Sequence, residues 1–237
     1  MARPALSPVR DLDPAGLRVL APERWCDRAA GVRVCFSGAE GGGELPATIG
    51  AVEPAGTGVS WLRQVHGRTV VAIQTERGEC GEGDALVSSA QGLALAVVTA
   101  DCVPVLIGGD GWIAAVHAGW RGVVAGVVTE ALARLPGSPA ARTAWIGPAI
   151  GPCCYEVGEE VAAALAVATS AAVIRRGAGA VRPHADLGRA VAHQLAAGGV
   201  GEIRRLGLCT RCGGAGLHSY RRDGRRAGRN VSWIVRD

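Results

Sequence analysis

The chain has 237 residues, 49% of them hydrophobic, which is enough for a substantial core in one large domain or two small ones. A net charge of +4 is too small to require a nucleic acid partner. The sequence contains no lysine, which excludes Schiff-base and P-loop lysine chemistry. Residues 1–16 lack the apolar core of a secretory signal, and no run reaches the ~18 apolar residues of a membrane helix, so we expect a cytoplasmic protein.

The predicted elements follow one another irregularly. Residues 1–30 are expected to be irregular, and residues 31–237 to form a single catalytic domain. The predicted elements in chain order are a strand at 31–37, two strand-like runs within 59–74, strands at 84–89 and 92–100, a hairpin from VPVLI to WIAAV, a helix at 121–135, a strand at 144–150, helices at 156–168 and 187–197, and strands at 202–208 and 231–235. Asp186 is the expected N-cap of the helix at 187–197. This order predicts an α+β fold, a mixed α/β sandwich in a single domain with a mixed β-sheet.

The hairpin TADCVPVLIGGDGWIAAVHAG (99–119) carries a cysteine on one arm and a histidine on the other. If the loop is Gly109-Asp110, Cys102 lies directly opposite His117. If the loop is Asp110-Gly111, the two are diagonal neighbours. In both registers they point to the same face, because side chains alternate with period two. A direct pair would have Cβ atoms about 4.5–5.5 Å apart, close enough for two ligands of one metal or for a thiolate–imidazolium pair.

Three interpretations of this pair remain open: simple packing, a Cys–His nucleophile dyad, or a metal site. A metal site needs a third ligand, and His66, in RQVHGR at the end of an apolar strand, is the candidate. The remaining histidines have polar or Gly-rich surroundings: His184, His193 and His218. A His2Cys set suits zinc and leaves a fourth position open for water, as in catalytic zinc sites. Copper could occupy the same ligands.

Two further residues are candidates for substrate binding. Arg121 follows the strand that ends in His117 and begins a predicted helix, so we expect it to bind an anion. Pairing of Arg121 with a surface carboxylate is the alternative. Gln64 shares a strand face with His66 and is expected to line the pocket. The basic segment 219–230 could bind an anionic ligand or form a solvated hairpin.

The eight cysteines are expected to be free, metal-bound or catalytic rather than disulfide-bonded in a reducing cytosol. Because Cys153 and Cys154 are adjacent, we expect at most one of them to face a common site. The segment CTRC (209–212) has the CxxC spacing of zinc and redox sites, but a zinc ribbon needs a second CxxC, which the sequence lacks.

The motifs RQVHG, TADCVPVLIG, AAVHAGWRG, IGPAIGPCCYEVGEEV, HADL and CT..C...HSYRRDG...GR resemble, in this order, the YfiH-type family. Its members carry the names multicopper polyphenol oxidase (laccase), purine nucleoside phosphorylase and peptidoglycan editing factor. The resemblance extends from about residue 31 to the C-terminus. It implies a YfiH-like/CNF-like cysteine hydrolase fold with a catalytic His-Cys-His zinc site at His66, Cys102 and His117. The loop after CFS lacks an arginine usual in the family, and His218 stands where phenylalanine is more usual; both concern the substrate entrance.

The resemblance implies a zinc-dependent purine nucleoside phosphorylase with adenosine deaminase activity, acting on adenosine, inosine and methylthioadenosine, with phosphate as co-substrate. The alternatives are a zinc or Cys–His hydrolase that edits peptidoglycan precursors, a copper-dependent polyphenol oxidase, and a non-enzymatic nucleotide- or RNA-binding module. Five histidines are too few for a multicopper cluster, although one copper could bind the His2Cys set. We expect no nucleic acid or membrane partner, and a monomer or weak homo-oligomer.

Overall fold

The computed structural model describes residues 9–12, 18–21, 24–38, 58–177, 181–214 and 216–237. The strands in these ranges are β1 (Val9–Leu12), β2 (Arg18–Ala21), β3 (Arg24–Ala29), β4 (Val32–Ser37), β5 (Gly58–Arg63), β6 (Val70–Ala72), β7 (Gly78–Glu82), β8 (Ala85–Ser88), β9 (Leu93–Thr99), β10 (Val103–Gly109), β11 (Trp112–Ala118), β12 (Thr143–Ile146), β13 (Ile174–Arg175), β14 (His184–Ala185), β15 (Glu202–Leu206) and β16 (Asn230–Arg236). The α-helices are α1 (Trp120–Ala125), α2 (Val127–Arg134), α3 (Glu159–Ala168), α4 (Leu187–Ala197) and α5 (Tyr220–Asp223). Most of the Gly-rich loop after CFS, including the position of the missing arginine, lies outside the described residues.

The described strands form two seven-stranded sheets and a two-stranded ribbon, β13–β14. The first sheet has the order β1-β15-β12-β10-β11-β8-β6, and the second has the order β2-β3-β4-β16-β9-β5-β7. Each sheet contains both parallel and antiparallel pairs. The expected α+β class with mixed sheets is therefore confirmed.

The two sheets share an apolar core. Leu95 and Ile234 of the second sheet belong to the same buried cluster as Leu106 and Trp145 of the first. The other face of the first sheet packs against α2, α3 and α4. Strand β10 is thus buried on both faces, which explains why VPVLI is continuously apolar instead of alternating. The result is a sandwich of a helical layer and two sheets. None of the helices in the described ranges is long and apolar enough to span a membrane.

One edge of the sandwich collects the chemically active residues. Strands β9, β5 and β7 are neighbours and parallel, so their carboxyl ends lie at the same edge of the second sheet. From each of these ends the chain crosses to the first sheet, from β5 to β6, from β7 to β8 and from β9 to β10. The three crossings carry His66, Asp84 and Cys102. Three sequence-distant segments therefore meet at one place.

The N-terminal segment differs from expectation. Residues 1–30 are expected to be irregular, but the described part contains β1, β2 and β3. Strand β1 pairs in parallel with β15, and β3 forms a hairpin with β4. The turn residues Ala30 and Gly31 both have positive φ, as a type I′ turn requires. In the described part of this segment, the strands form by pairing with strands of the main domain, although the local sequence pattern is weak.

The helix expected at 121–135 is divided in two. Gly126 has a φ of +85°, a left-handed conformation that ends α1 and precedes α2. The helix expected at 156–168 begins only at Glu159. The helix at 187–197 is confirmed, and Asp186 caps it by accepting a hydrogen bond from the Arg189 N–H at 2.9 Å.

Candidate active site

The central hairpin adopts the second of the two registers considered. Its turn is at Asp110-Gly111, and Pro104 pairs with His117. Cys102 is therefore diagonal to His117 and not directly opposite. It also lies just before the first paired residue of β10, after Asp101, whose φ is +95°. Cys102 thus belongs to the crossing between the sheets and not to the ladder.

The structure brings together the three residues that the sequence predicts as one group. The potential ligand atoms of His66, Cys102 and His117 all lie within 4.8 Å of one another. The two imidazoles meet edge to face, with 4.8 Å between ring centroids. His117 is buried, Cys102 is half-buried and His66 is exposed, so the group is accessible from the His66 side. A His2Cys group of this size fits a zinc ion with three protein ligands.

Asp84 organises this group, although the sequence analysis does not identify it. Its carboxylate is fully buried and accepts a hydrogen bond from His117 Nδ1 at 2.8 Å. It also accepts the backbone N–H groups of His66 at 2.9 Å and of Gly67 at 2.6 Å. The bond at Nδ1 directs the other ring nitrogen of His117, Nε2, to the role of ligand or base.

Hydrogen bonds within the group control its charge. Burial raises the pKa of the Cys102 thiol, but hydrogen bonds with His117 and His66 outweigh burial and lower this pKa to about 6. Burial lowers the pKa of His117, but hydrogen bonds with Asp84 and Cys102 outweigh it and raise this pKa to about 9. Burial raises the pKa of Asp84, and the hydrogen bonds from His117 and Gly67 bring it below its ordinary value. The metal-free group is therefore a thiolate beside an imidazolium, and the thiolate is the form of cysteine that binds metals.

Gly119 leaves room for all three side chains. A Cβ atom at this position would lie 3.0 Å from Cδ2 of His66, 3.1 Å from Sγ of Cys102 and 3.9 Å from Cε1 of His117. The first two separations are shorter than ordinary van der Waals contact between such atoms (about 3.5–4.0 Å between carbons). The glycine of HAGW is therefore part of the construction of the site.

The two expected substrate contacts have different positions. The Gln64 amide donates to the Val98 carbonyl at 2.7 Å and accepts from the Val98 N–H at 2.9 Å. It is therefore engaged in joining β5 to β9, and not free to line a pocket as expected. Arg121 is exposed in the first turn of α1, with its guanidinium 4.5 Å from the ring centroid of Trp120. No carboxylate in the described part of the chain forms an ion pair with it, so it is available to an anion.

The C-terminal basic segment, for which the sequence leaves open an anionic ligand or a solvated hairpin, forms α5 and lies near the site. The Arg221 guanidinium carbon lies 5.3 Å from the ring centroid of Tyr155. Burial and the negative charge of Cys102 raise the pKa of Tyr155 to about 12, against an opposing effect of Arg221. Asp101 accepts the Arg221 backbone N–H and the Thr210 hydroxyl, both at 2.6 Å. The only feature of the sequence that could have indicated this role of Asp101 is its position immediately before Cys102.

The cysteines depart from expectation in two ways. Cys26 and Cys35, which are paired positions of β3 and β4, form a disulfide. A second group has all its Sγ atoms within 4.8 Å of one another and consists of Cys153, Cys154, Cys209 and Cys212. The expectation that at most one of the adjacent pair faces a common site is wrong, because residues 152–154 form a turn and not a strand with alternating side chains.

Comparisons with known proteins agree with the fold and the motifs. The model of the family described as multi-copper polyphenol oxidoreductase laccase matches residues 47–237. The purine nucleoside phosphorylase SCO2081 of Streptomyces coelicolor is 42% identical over 201 residues, covering 82% of this chain and 81% of that protein. The purine nucleoside phosphorylase YfiH of Escherichia coli is 40% identical over 179 residues, with 73% and 72% covered. The crystal structure of Neisseria meningitidis protein NMB0706 has a TM-score of 0.76 at 29% identity and covers 90% of this chain and 98% of that one. The chain therefore belongs to the multi-copper polyphenol oxidoreductase laccase family, the YfiH-type family that its motifs resemble.

Proposed function

We propose that this protein is a zinc-dependent purine nucleoside phosphorylase with adenosine deaminase activity. The observation that carries the proposal is the His66–Cys102–His117 group, which has three potential ligand atoms within 4.8 Å of one another and is exposed on the His66 side. Relatives at about 40% identity that are named purine nucleoside phosphorylase support the substrate class. The proposed substrates are adenosine, inosine and methylthioadenosine, with phosphate as the second substrate.

His66, Cys102 and His117 would hold the zinc ion, which when bound supplies a Lewis acid. Asp84 keeps a proton on Nδ1 of His117 and fixes the ring, so that Nε2 remains the ligand atom. The thiolate of Cys102 supplies the single negative charge of the ligand set. These residues therefore hold a positively charged, open site, which favours an electron-rich purine or an anion.

Phosphorolysis also needs a cation for the phosphate oxygens. Arg121 is exposed and without an ion-pair partner in the described residues, and it lies two residues after Gly119, which touches the ligand group. We assign it the role of phosphate binding. Its fork of N–H donors suits phosphate and would stabilise the charge that moves as the bond between base and sugar breaks.

A second candidate is a Cys–His hydrolase that acts on peptidoglycan precursors. It is favoured by the thiolate–imidazolium pair of Cys102 and His117, which is the state of an activated cysteine nucleophile. In that case His66 would not be essential. Copper in place of zinc is a third arrangement of the same ligands, in keeping with the description of the family.

One experiment separates these candidates. The wild type, His66→Ala, Cys102→Ala and His117→Ala are purified without added metal, their zinc and copper are measured, and each is given adenosine and inosine with and without phosphate. Cys80→Ala, which removes a free cysteine of β7 that is not one of the three candidate ligands, is the matched control. Zinc bound to the wild type and lost from all three variants, together with phosphate-dependent release of base, is the expected result. Inosine formed from adenosine without phosphate reports the deaminase activity.

Other results would contradict the proposal. A metal-free wild type whose activity is lost in Cys102→Ala but kept in His66→Ala would indicate the hydrolase. Copper in place of zinc, with oxidation of phenols and no nucleoside turnover, would indicate the oxidase. If zinc-loaded protein leaves nucleosides unchanged, the proposed substrates are wrong and the proposed metal site still stands.

A further inference from the structure

The second cysteine group joins two loops. Cys153 and Cys154 lie in the loop after β12, and Cys209 and Cys212 lie in the loop after β15. The four Sγ atoms are all within 4.8 Å of one another, and those of Cys153 and Cys212 are 3.4 Å apart. The inner pair, Cys154 and Cys209, is buried and the outer pair is exposed. Four sulfur atoms this close together can all reach a single ion.

The backbone around Cys209 is arranged to support a negatively charged sulfur. The N–H group of Gly151 donates to Cys209 Sγ at 3.2 Å. The Gly213 N–H donates to the Cys209 carbonyl at 2.7 Å, and a Cβ on Gly213 would overlap that oxygen. A CxxC turn closed by glycine, with an N–H group of the neighbouring loop directed at its first sulfur, is suited to hold a metal thiolate.

We propose that Cys153, Cys154, Cys209 and Cys212 bind one zinc ion in a closed four-sulfur site. Thiolates select soft or borderline metals such as zinc. Four protein ligands leave no position for a substrate, so this site is structural, in contrast to the three-ligand group. Arg175 and Arg205 line, with Cys153, Cys209 and Asp186, a cavity of about 210 Å³ beside the group, and each arginine pairs with a carboxylate, Arg175 with Asp186 at 3.8 Å and Arg205 with Asp11 at 2.7 Å.

The site would stabilise the position of the candidate active cysteine. Ala149 pairs with Cys209 in an isolated parallel bridge, and the Thr210 N–H donates to the Ala149 carbonyl at 3.1 Å. The Ile150 N–H donates to the carbonyl of Asp101 at 2.9 Å, and the Thr210 hydroxyl donates to the carboxylate of the same residue at 2.6 Å. Both loops that the ion would join therefore form hydrogen bonds to Asp101, the residue immediately before Cys102.

The test uses Cys102→Ala, which leaves all four cysteines of the second group intact. The variant is purified under reducing conditions and its metal is replaced by cobalt(II). We expect one bound ion per chain, with the strong visible absorption and sulfur-to-metal charge transfer of a tetrahedral cobalt thiolate. In Cys102→Ala/Cys209→Ser this ion and its spectrum are lost, and in the control Cys102→Ala/Cys80→Ser both are kept.

The single variant Cys209→Ser separates this proposal from the proposed function. It is expected to lose the four-sulfur spectrum and to keep the ion bound by His66, Cys102 and His117, with a lower midpoint of thermal unfolding. Metal-free Cys102→Ala protein, or mass spectra two hydrogens lighter that show a Cys153–Cys212 disulfide in the reduced preparation, would overturn the proposal. Wild-type protein that binds the four-sulfur ion but leaves nucleosides unchanged would contradict only the proposed function.

Discussion

Asp84→Asn tests whether the buried carboxylate orients the candidate metal group. The carboxylate accepts three hydrogen bonds, from His117 Nδ1, the His66 N–H and the Gly67 N–H. Asparagine has nearly the same shape, but one of its two positions is an NH2 donor. If the NH2 faces Gly67, two donors meet at a separation of 2.6 Å. If the NH2 faces His117, the imidazole must adopt the other tautomer, in which Nδ1 is the acceptor and Nε2 carries the proton. The proton then occupies the atom that would bind a metal.

Either placement of the NH2 group should weaken both zinc binding and folding stability. Removing a buried partner of a metal-binding histidine costs about 10–100-fold in affinity. This range corresponds to about 1.4–2.7 kcal/mol of binding free energy. The free energy of unfolding of the metal-free protein should fall by about 1–3 kcal/mol, because a buried donor is left without an acceptor.

The assay is competition for zinc with a chromogenic chelator, alongside urea unfolding of the metal-free protein. Asp186→Ala is the matched control, because it removes the N-cap of α4 at about 1 kcal/mol and contacts none of the three candidate ligands. Zinc affinity of Asp84→Asn within twofold of wild type, with normal folding, would refute the orienting role.

Three further variants have expected outcomes. Gly119→Ala should weaken zinc binding by about tenfold or more, because its Cβ meets the imidazole and the thiol at 3.0 and 3.1 Å; Gly207→Ala, which has open space at its Cβ, is the control, and equal zinc affinity in both would contradict the steric argument. Gln64→Ala should lower the free energy of unfolding by about 1–3 kcal/mol through the two lost hydrogen bonds to Val98, with KM for nucleosides unchanged. A raised KM at wild-type stability would instead indicate that Gln64 contacts the substrate. Leu106→Ala, in the core between the sheets, should destabilise by about 2–5 kcal/mol in chemical unfolding, and a loss below about 1 kcal/mol would mean that this core is not tightly packed.

Local patterns predicted part of the central group. Period-two alternation predicts Cys102 and His117 on one face in either register, and the structure brings them together although Cys102 lies outside the ladder, in the crossing after β9. His66 follows from its place at the end of a strand. Asp186 as a helix cap is likewise a local feature and is confirmed. The helix cap depends only on residues close in sequence, whereas the meeting of His66 with the hairpin depends on the crossings between the two sheets.

Other features could not be predicted from local patterns. Gln64 is expected to share a strand face with His66, but β5 ends at Arg63 and the Gln64 amide pairs with the backbone of β9, a partner set by sheet order. The helix break at Gly126 depends on a left-handed conformation that glycine permits but does not require. Strands β1 and β3 exist because edges of the two sheets are available for pairing.

The sequence by itself determined the family, the α+β class and the association of His66, Cys102 and His117. Only the tertiary structure placed Asp84 among them and brought the pairs 153–154 and 209–212 into a single cysteine group. The physical reason is that hydrophobic periodicity and turn chemistry act over a few residues. The parallel order of β9, β5 and β7, and the meeting of two loops more than fifty residues apart, result from packing the whole chain around a common core.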